Sequence, residues 1–386
     1  MRSLEGRRRY AVGIVMVAFV IAAIPLTGWS TGAGGKIRTY YIAIDEVAWD
    51  YAPSGSNEIT GDAFGDMENV FVARGPGRIG SVYVKALYRE YTDGTFSTPK
   101  PVPPEWQHLG TLGPAIRAEV GDTIKVYARN NARFPFSFHP HGVFYLKDSE
   151  GAGYDDGTGP GPEIDDAIPP GGMVPYTWQV PERAGPGPGD GSSVLWMYHS
   201  HVDEAGDTNA GLVGPIIIYR KGATTGSNLK PSDIDREFVT MFTVFDENRS
   251  PYMDRNIATY VGGQYASSVT QREALKADED FHESNLMHSI NGYVYGNLPL
   301  ETLTMYQGER VRWYVMGMGT EVDLHTPHWH GQSLTWMGMR TDVIELMPAS
   351  MKTLEMVPDN PGIWLYHCHV NDHLDAGMIA RFQVLP

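Results

Sequence analysis

The chain has 386 residues, 42% of them hydrophobic, which leaves room for two or three domains with buried cores. Its 30 basic and 46 acidic residues give a formal net charge of −16, which excludes the basic face that nucleic-acid binding needs. The single cysteine, Cys368, excludes an intrachain disulfide framework.

Arg2, Arg7, Arg8 and Arg9 make a positive start, and Tyr10 to Ile24 is a run of 15 apolar or small residues. Pro25, Gly28 and the small-residue stretch 30–35 follow. Residues 1–35 have the layout of a secretory signal and are short for a membrane span; an uncleaved N-terminal anchor is the alternative. Either form sends the folded part outside the cytoplasm, to the periplasm, the medium or the outer face of the cell membrane.

From residue 36 the pattern is short strands and turns. Aromatic and β-branched residues alternate with polar ones in 37–51, 115–130, 173–180 and 212–220, and Gly, Pro, Asn and Asp punctuate them. The 44 glycines and 27 prolines form no repeats and read as turns. Only 270–280 suggests a short helix. The expected fold is all-β, two Greek-key β-sandwich domains at 36–220 and 236–386. The polar stretch 221–235, "KGATTGSNLKPSDID", reads as the linker, and the strand "REFVTMFTVF" follows it.

The two halves repeat each other. "FSFHPHGV" (136–143) matches "HTPHWHGQ" (325–332), and "LWMYHSHVDE" (195–204) matches "IWLYHCHVND" (363–372). Of 13 histidines, ten fall in four clusters: His139 and His141; His199 and His201; His325, His328 and His330; His367, His369 and His373. Residues i and i+2 of a strand share a face, so each H-x-H aims two imidazoles one way. One such pair is unremarkable, but four in matching register imply a metal centre. Imidazole with thiolate and thioether favours copper, and His325, Cys368, His373 and Met378 form the His₂Cys-plus-thioether set of a blue-copper site, core filling being the other reading of Met378. Cys368 lies between His367 and His369, so a strand sends its sulfur to one face and both imidazoles to the other.

These motifs, "HPHG", "YHSH", "HTPHWHG" and "YHCHVNDHLDAGM", resemble those of the multicopper oxidases, a family that includes laccases and ferroxidases of the ceruloplasmin kind. The likeness covers nearly the whole chain after residue 36. It implies two cupredoxin-like domains and four coppers per functional unit. His325, Cys368 and His373 would hold the type 1 copper with Met378 axial. His139 and His328 would hold type 2, and His141, His199, His201, His330, His367 and His369 the type 3 pair. In the first domain Phe136, Ser200, Ala205 and Ala210 stand where His325, Cys368, His373 and Met378 stand in the second, so one type 1 site is expected.

The resemblance further implies one-electron oxidation of a small reducing substrate coupled to reduction of O2 to water, with a cyclic homotrimer placing each cluster between chains. Asp203, Glu204 and Asp372 are candidate proton carriers; hydrogen bonding to ligand imidazoles is the other reading of each. Substrate stays open among phenols, aromatic amines, Fe(II) and Cu(I). Met316, Met318, Met337 and Met339 suit Cu(I) or core packing, and the acidic loop 148–166 suits cations or plain solvation. A copper nitrite reductase also has two such domains but does not need His199, His201, His367 and His369 together. A non-catalytic copper carrier needs no oxygen-reducing cluster.

Overall fold

The computed structural model describes residues 35–156, 164–320 and 323–386, so the expected leader lies outside the described residues. The first half contributes β1 (Ile37–Asp50), β2 (Val82–Glu90), β3 (Ile116–Glu119), β4 (Thr123–Asn130), β5 (His139–Pro140), β6 (Met173–Gln179), β7 (Ser193–His199) and β8 (Val213–Tyr219). They form two four-stranded sheets, ordered β2-β1-β4-β6 and β3-β8-β7-β5.

A short ladder, β9 (Thr224–Thr225) with β10 (Lys230–Pro231), lies within the stretch read as a linker. The second half supplies β11 (Arg236–Asp246), β12 (Leu286–Ile290), β13 (Thr304–Tyr306), β14 (Val311–Gly317), β15 (Pro327–Trp329), β16 (Leu334–Trp336), β17 (Met339–Thr341), β18 (Met351–Met356), β19 (Gly362–Cys368) and β20 (Ile379–Leu385). Its sheets run β12-β11-β14-β18-β16-β17 and β13-β20-β19-β15. The pairing logic is the same in both halves. β1 with β4 and β11 with β14 are parallel, as are β3 with β8 and β13 with β20. No described helix is long and apolar enough to cross a membrane.

The stretch 115–130 is two strands in different sheets, not one. The chain turns at Gly121, whose φ of +96° suits glycine, and this turn lets β3 join β8 while β4 joins β1. Each sandwich encloses its own apolar core, with Phe136, Phe138, Tyr176 and Trp178 in the first and Trp313, Trp329, Tyr366 and Phe382 in the second. A third cluster joins the halves through Leu195, Met197, Ile217, Met241, Phe245 and Met316. Each such fully buried side chain contributes roughly 1.5–3 kcal/mol. Polar ties reinforce this seam: Tyr219 and Tyr314 both donate to Glu237, at 2.9 and 2.7 Å, and the buried Lys85 pairs with Glu247. Met316 and Met318 are core residues here, whereas Met337 and Met339 are exposed.

Candidate metal centre

Antiparallel pairing brings the histidines together. β5 and β7 set His139 opposite His199, and β15 and β19 set His328 opposite His367 with Pro327 opposite Cys368. Three donor groups result, each with ligand atoms within 4.8 Å of one another: His139, His141 and His199; His328, His330 and His367; His325, Cys368 and His373. His201 joins the first, its ring 5.1 Å from His139 and 5.7 Å from His199. His369 joins the second, 5.3 Å from His328 and 5.5 Å from His367. The chain therefore carries two four-imidazole groups, one per sandwich. Among the described residues, no ring contact links one group to the other.

Tautomers show that these groups suit a cation. Backbone carbonyls accept from Nδ1–H of His139 (Glu150, 2.8 Å), His199 (Ser200, 3.0 Å) and His367 (Cys368, 2.7 Å), which leaves each Nε2 with a lone pair. Those lone pairs face other imidazoles: His199 Nε2 is 3.1 Å from His141 Nε2, and His367 Nε2 is 2.9 Å from His330 Nε2. Burial pushes His141 and His199 down to about 4, so they stay in the neutral, metal-binding form near neutral pH.

The sulfur-containing group is more deeply buried. His325 and His373 bring their Nδ1 atoms to 3.1 Å, and Cys368 Sγ lies 3.9 and 3.7 Å from them. Burial works to raise the thiol, but the two imidazoles beside it outweigh that and hold Cys368 down at about 6, toward the thiolate that binds metal. Asp323 Oδ1, 3.4 Å from His325 Nε2, favours a proton there and frees Nδ1 for the group. Met378 is fully buried in the same core, and its carbonyl accepts from Cys368 N at 3.1 Å. The matching place in the first sandwich is filled by the buried Phe136 and Ser200.

The carboxylates read as proton carriers lie at the surface. Asp203 caps the helix Glu204–Ala210, Glu204 is exposed 3.5 Å from His201 Nε2, and Asp372 is exposed beside His373. Three residues with no motif of their own belong to these surroundings. They are Asp323; Asp207, buried behind the His199–His201 segment; and His288, whose ring is 5.3 Å from that of His373. In the acidic loop, Asp165 is buried and accepts from Gly151 N at 3.1 Å, so part of that loop is structural; residues 157–163 lie outside the described residues.

Fold and donors together define a copper-type β-sandwich protein with a His₂Cys group and two four-imidazole groups. Family models for multicopper oxidases match residues 109–223 and 267–386, and the chain belongs to that family, which implies copper. It is 45% identical to ferroxidase HEPHL1 of Homo sapiens over 94% of this chain and 30% of that one. It is also 45% identical to ceruloplasmin of Rattus norvegicus, over 95% and 33%, and 44% identical to hephaestin of Homo sapiens, over 92% and 30%. The chain thus spans about a third of the length of these curated relatives. A solved multicopper oxidase superposes with a TM-score of 0.54 at 18% identity, covering 91% of this chain and 90% of that one. A copper nitrite reductase from Nitrosomonas europaea gives 0.54 at 17%, covering 90% and 94%. At such identities the likeness establishes the all-β cupredoxin fold alone.

Proposed function

We propose that this chain is an exported oxidase that takes single electrons from a reducing substrate and passes them to dioxygen. One observation carries the reading: β19 ends in His367–Cys368 with His369 next, so one short peptide serves both the sulfur-containing group and an imidazole half-site. His325, Cys368 and His373, together with Met378, would hold a type 1 copper. His139 and His328 would hold type 2, and His141, His199, His201, His330, His367 and His369 the type 3 pair. Copper there would supply one-electron transfer at the sulfur-containing group and four-electron reduction of dioxygen at the imidazole centre. The protein's own part is to exclude water from Cys368, to fix tautomers through backbone carbonyls and to keep the imidazoles neutral.

Each sandwich, read as domains 36–220 and 236–386 about the linker 221–235, offers four imidazoles, half of what a three-metal centre needs. The halves are completed when the first sandwich of one copy meets the second sandwich of the next, and a head-to-tail ring of three copies closes that arrangement. Fe(II) is the reductant that the relatives' name "ferroxidase" points to. His288, packed against His373, gives its Nδ1 proton to the Leu286 carbonyl at 2.9 Å, and burial with the neighbouring His373 holds it down at about 4, so its ring stays neutral beside the sulfur-containing group.

The test is spectroscopic and kinetic. Copper-loaded protein is expected to show an intense blue band with a near-ultraviolet shoulder, and to consume oxygen faster with Fe(II) than with Cu(I) or a phenol. Cys368→Ser should abolish the blue band and the oxygen uptake. A colourless loaded protein would end the oxidase reading; a preference for the phenol would end only the Fe(II) assignment.

A further inference from the structure

The motif Ser200 sits where the second sandwich has Cys368, and its surroundings are built around a carboxylate that none of the copper roles uses. Asp207 is 3% exposed. It accepts from Ser200 Oγ at 2.6 Å and from Asp203 N at 3.1 Å. Ser200 Oγ in turn accepts from Ser137 N at 3.0 Å, and Ser137 Oγ accepts from His201 N at 3.0 Å. Ser137 Oγ also donates to the Gly151 carbonyl at 2.7 Å, next to the Glu150 carbonyl that fixes the tautomer of His139. Ser137 and Ser200 are fully buried. One carboxylate therefore ends a hydrogen-bond network that clamps both H-x-H segments of the first sandwich to each other. Among the described residues Asp207 forms no ion pair, although an isolated buried charge is costly.

We propose that Asp207 is the positioning residue of the first half-site: through Ser200 and Ser137 it holds the segments carrying His139, His141, His199 and His201 in metal-binding register, and its negative charge would offset that of a cation held there. The inference rests on the copper reading above. A carboxylate suits the place because it only accepts, and Ser200 Oγ and Asp203 N both donate to its Oδ2. An amide would keep an acceptor oxygen there but carry no negative charge. The second sandwich has no equivalent, since Asp375, in the same register, is exposed and Cys368 is itself a donor to the metal group.

The test uses the full chain and copper(II) alone. Outer partners of metal-binding histidines are worth about 10–100-fold in metal affinity, and Asp207→Asn is expected to weaken the imidazole-centre copper by that amount. After dialysis it should lose near-ultraviolet absorption and copper per chain while keeping the blue band, because Cys368 lies in the other sandwich. Ser200→Ala, a smaller deletion that is easier to fold, should move the same readouts in the same direction. Unchanged copper content and near-ultraviolet absorption in both variants would overturn the proposal. So would a loss of the blue band in step with the rest, which marks general unfolding. A parent protein that takes up no copper would instead sink the oxidase reading, so the two failures are separable.

Discussion

Asp207 bears a carboxylate where water does not reach, and this has a measurable consequence apart from copper. Burial pushes its carboxyl from the usual carboxylate range up to about 6; the hydrogen bonds from Ser200 and the backbone only partly oppose that. A carboxyl raised in the folded state stabilises the fold below its unfolded value, near 4, and that contribution is lost as pH rises through about 6. The shift of roughly two units corresponds to ~3 kcal/mol. In metal-stripped protein, the stability of the parent relative to Asp207→Asn should therefore fall by about that amount between pH 4 and pH 8. Denaturant melts of both proteins across the range check it; a gap independent of pH would show that Asp207 does not titrate there. The apo protein is thus stressed at the pH where the ionised group helps hold a cation, a local cost of the kind functional sites carry.

At the scale of strands and turns, both imidazole groups share a device that follows from the glycine after the first H-x-H of each sandwich. Gly142 and Gly331 have φ of +76° and +66°, and a Cβ there would lie 2.2 Å from Trp196 and 2.6 Å from Trp364. Each indole is itself pinned, donating to Ala184 O at 2.7 Å and to Asn360 O at 2.9 Å. The turn leaving the second histidine can therefore lie flat on tryptophan only without a side chain. Gly142→Ala or Gly331→Ala should cost at least ~2 kcal/mol from strain and overpacking, read as a lower melting temperature, with copper lost first from the imidazole centre. Such local pairings also mark what the sequence made legible. Alternation revealed β1, β6, β8 and β11 within about a residue, and i, i+2 spacing revealed the four imidazole pairs, because both depend only on neighbours in the chain. The division of 115–130 was hidden because it depends on which sheet each half joins. Asp323, Asp207 and His288 were hidden for the same reason. They are single residues brought to the site by turns, a helix and β12, with no periodic signature.

Across the whole molecule, the decisive geometry is the separation of the two half-sites. The halves of the chain are fused through an apolar seam that includes Leu195, Met197, Met241 and Met316, so they cannot swing freely to bring the two groups of imidazoles face to face. On the proposed reading, a centre needing both would form between copies, each lending its first sandwich to one neighbour and its second to the other. This arrangement predicts complementation. His199→Ala breaks every centre through the first sandwich, and His369→Ala breaks every centre through the second; either homo-oligomer alone should be inactive while keeping its blue band. Co-expressed, the two chains form mixed rings in which some junctions join the intact first sandwich of one chain to the intact second sandwich of the other. Those junctions should recover oxygen uptake to about a quarter of the parent level for random mixing. Oxygen uptake by the purified mixture, with its mass measured by light scattering, checks the outcome. Full activity in a monomer, or silence in verified mixed rings, would place both halves of the centre within one chain or outside it altogether.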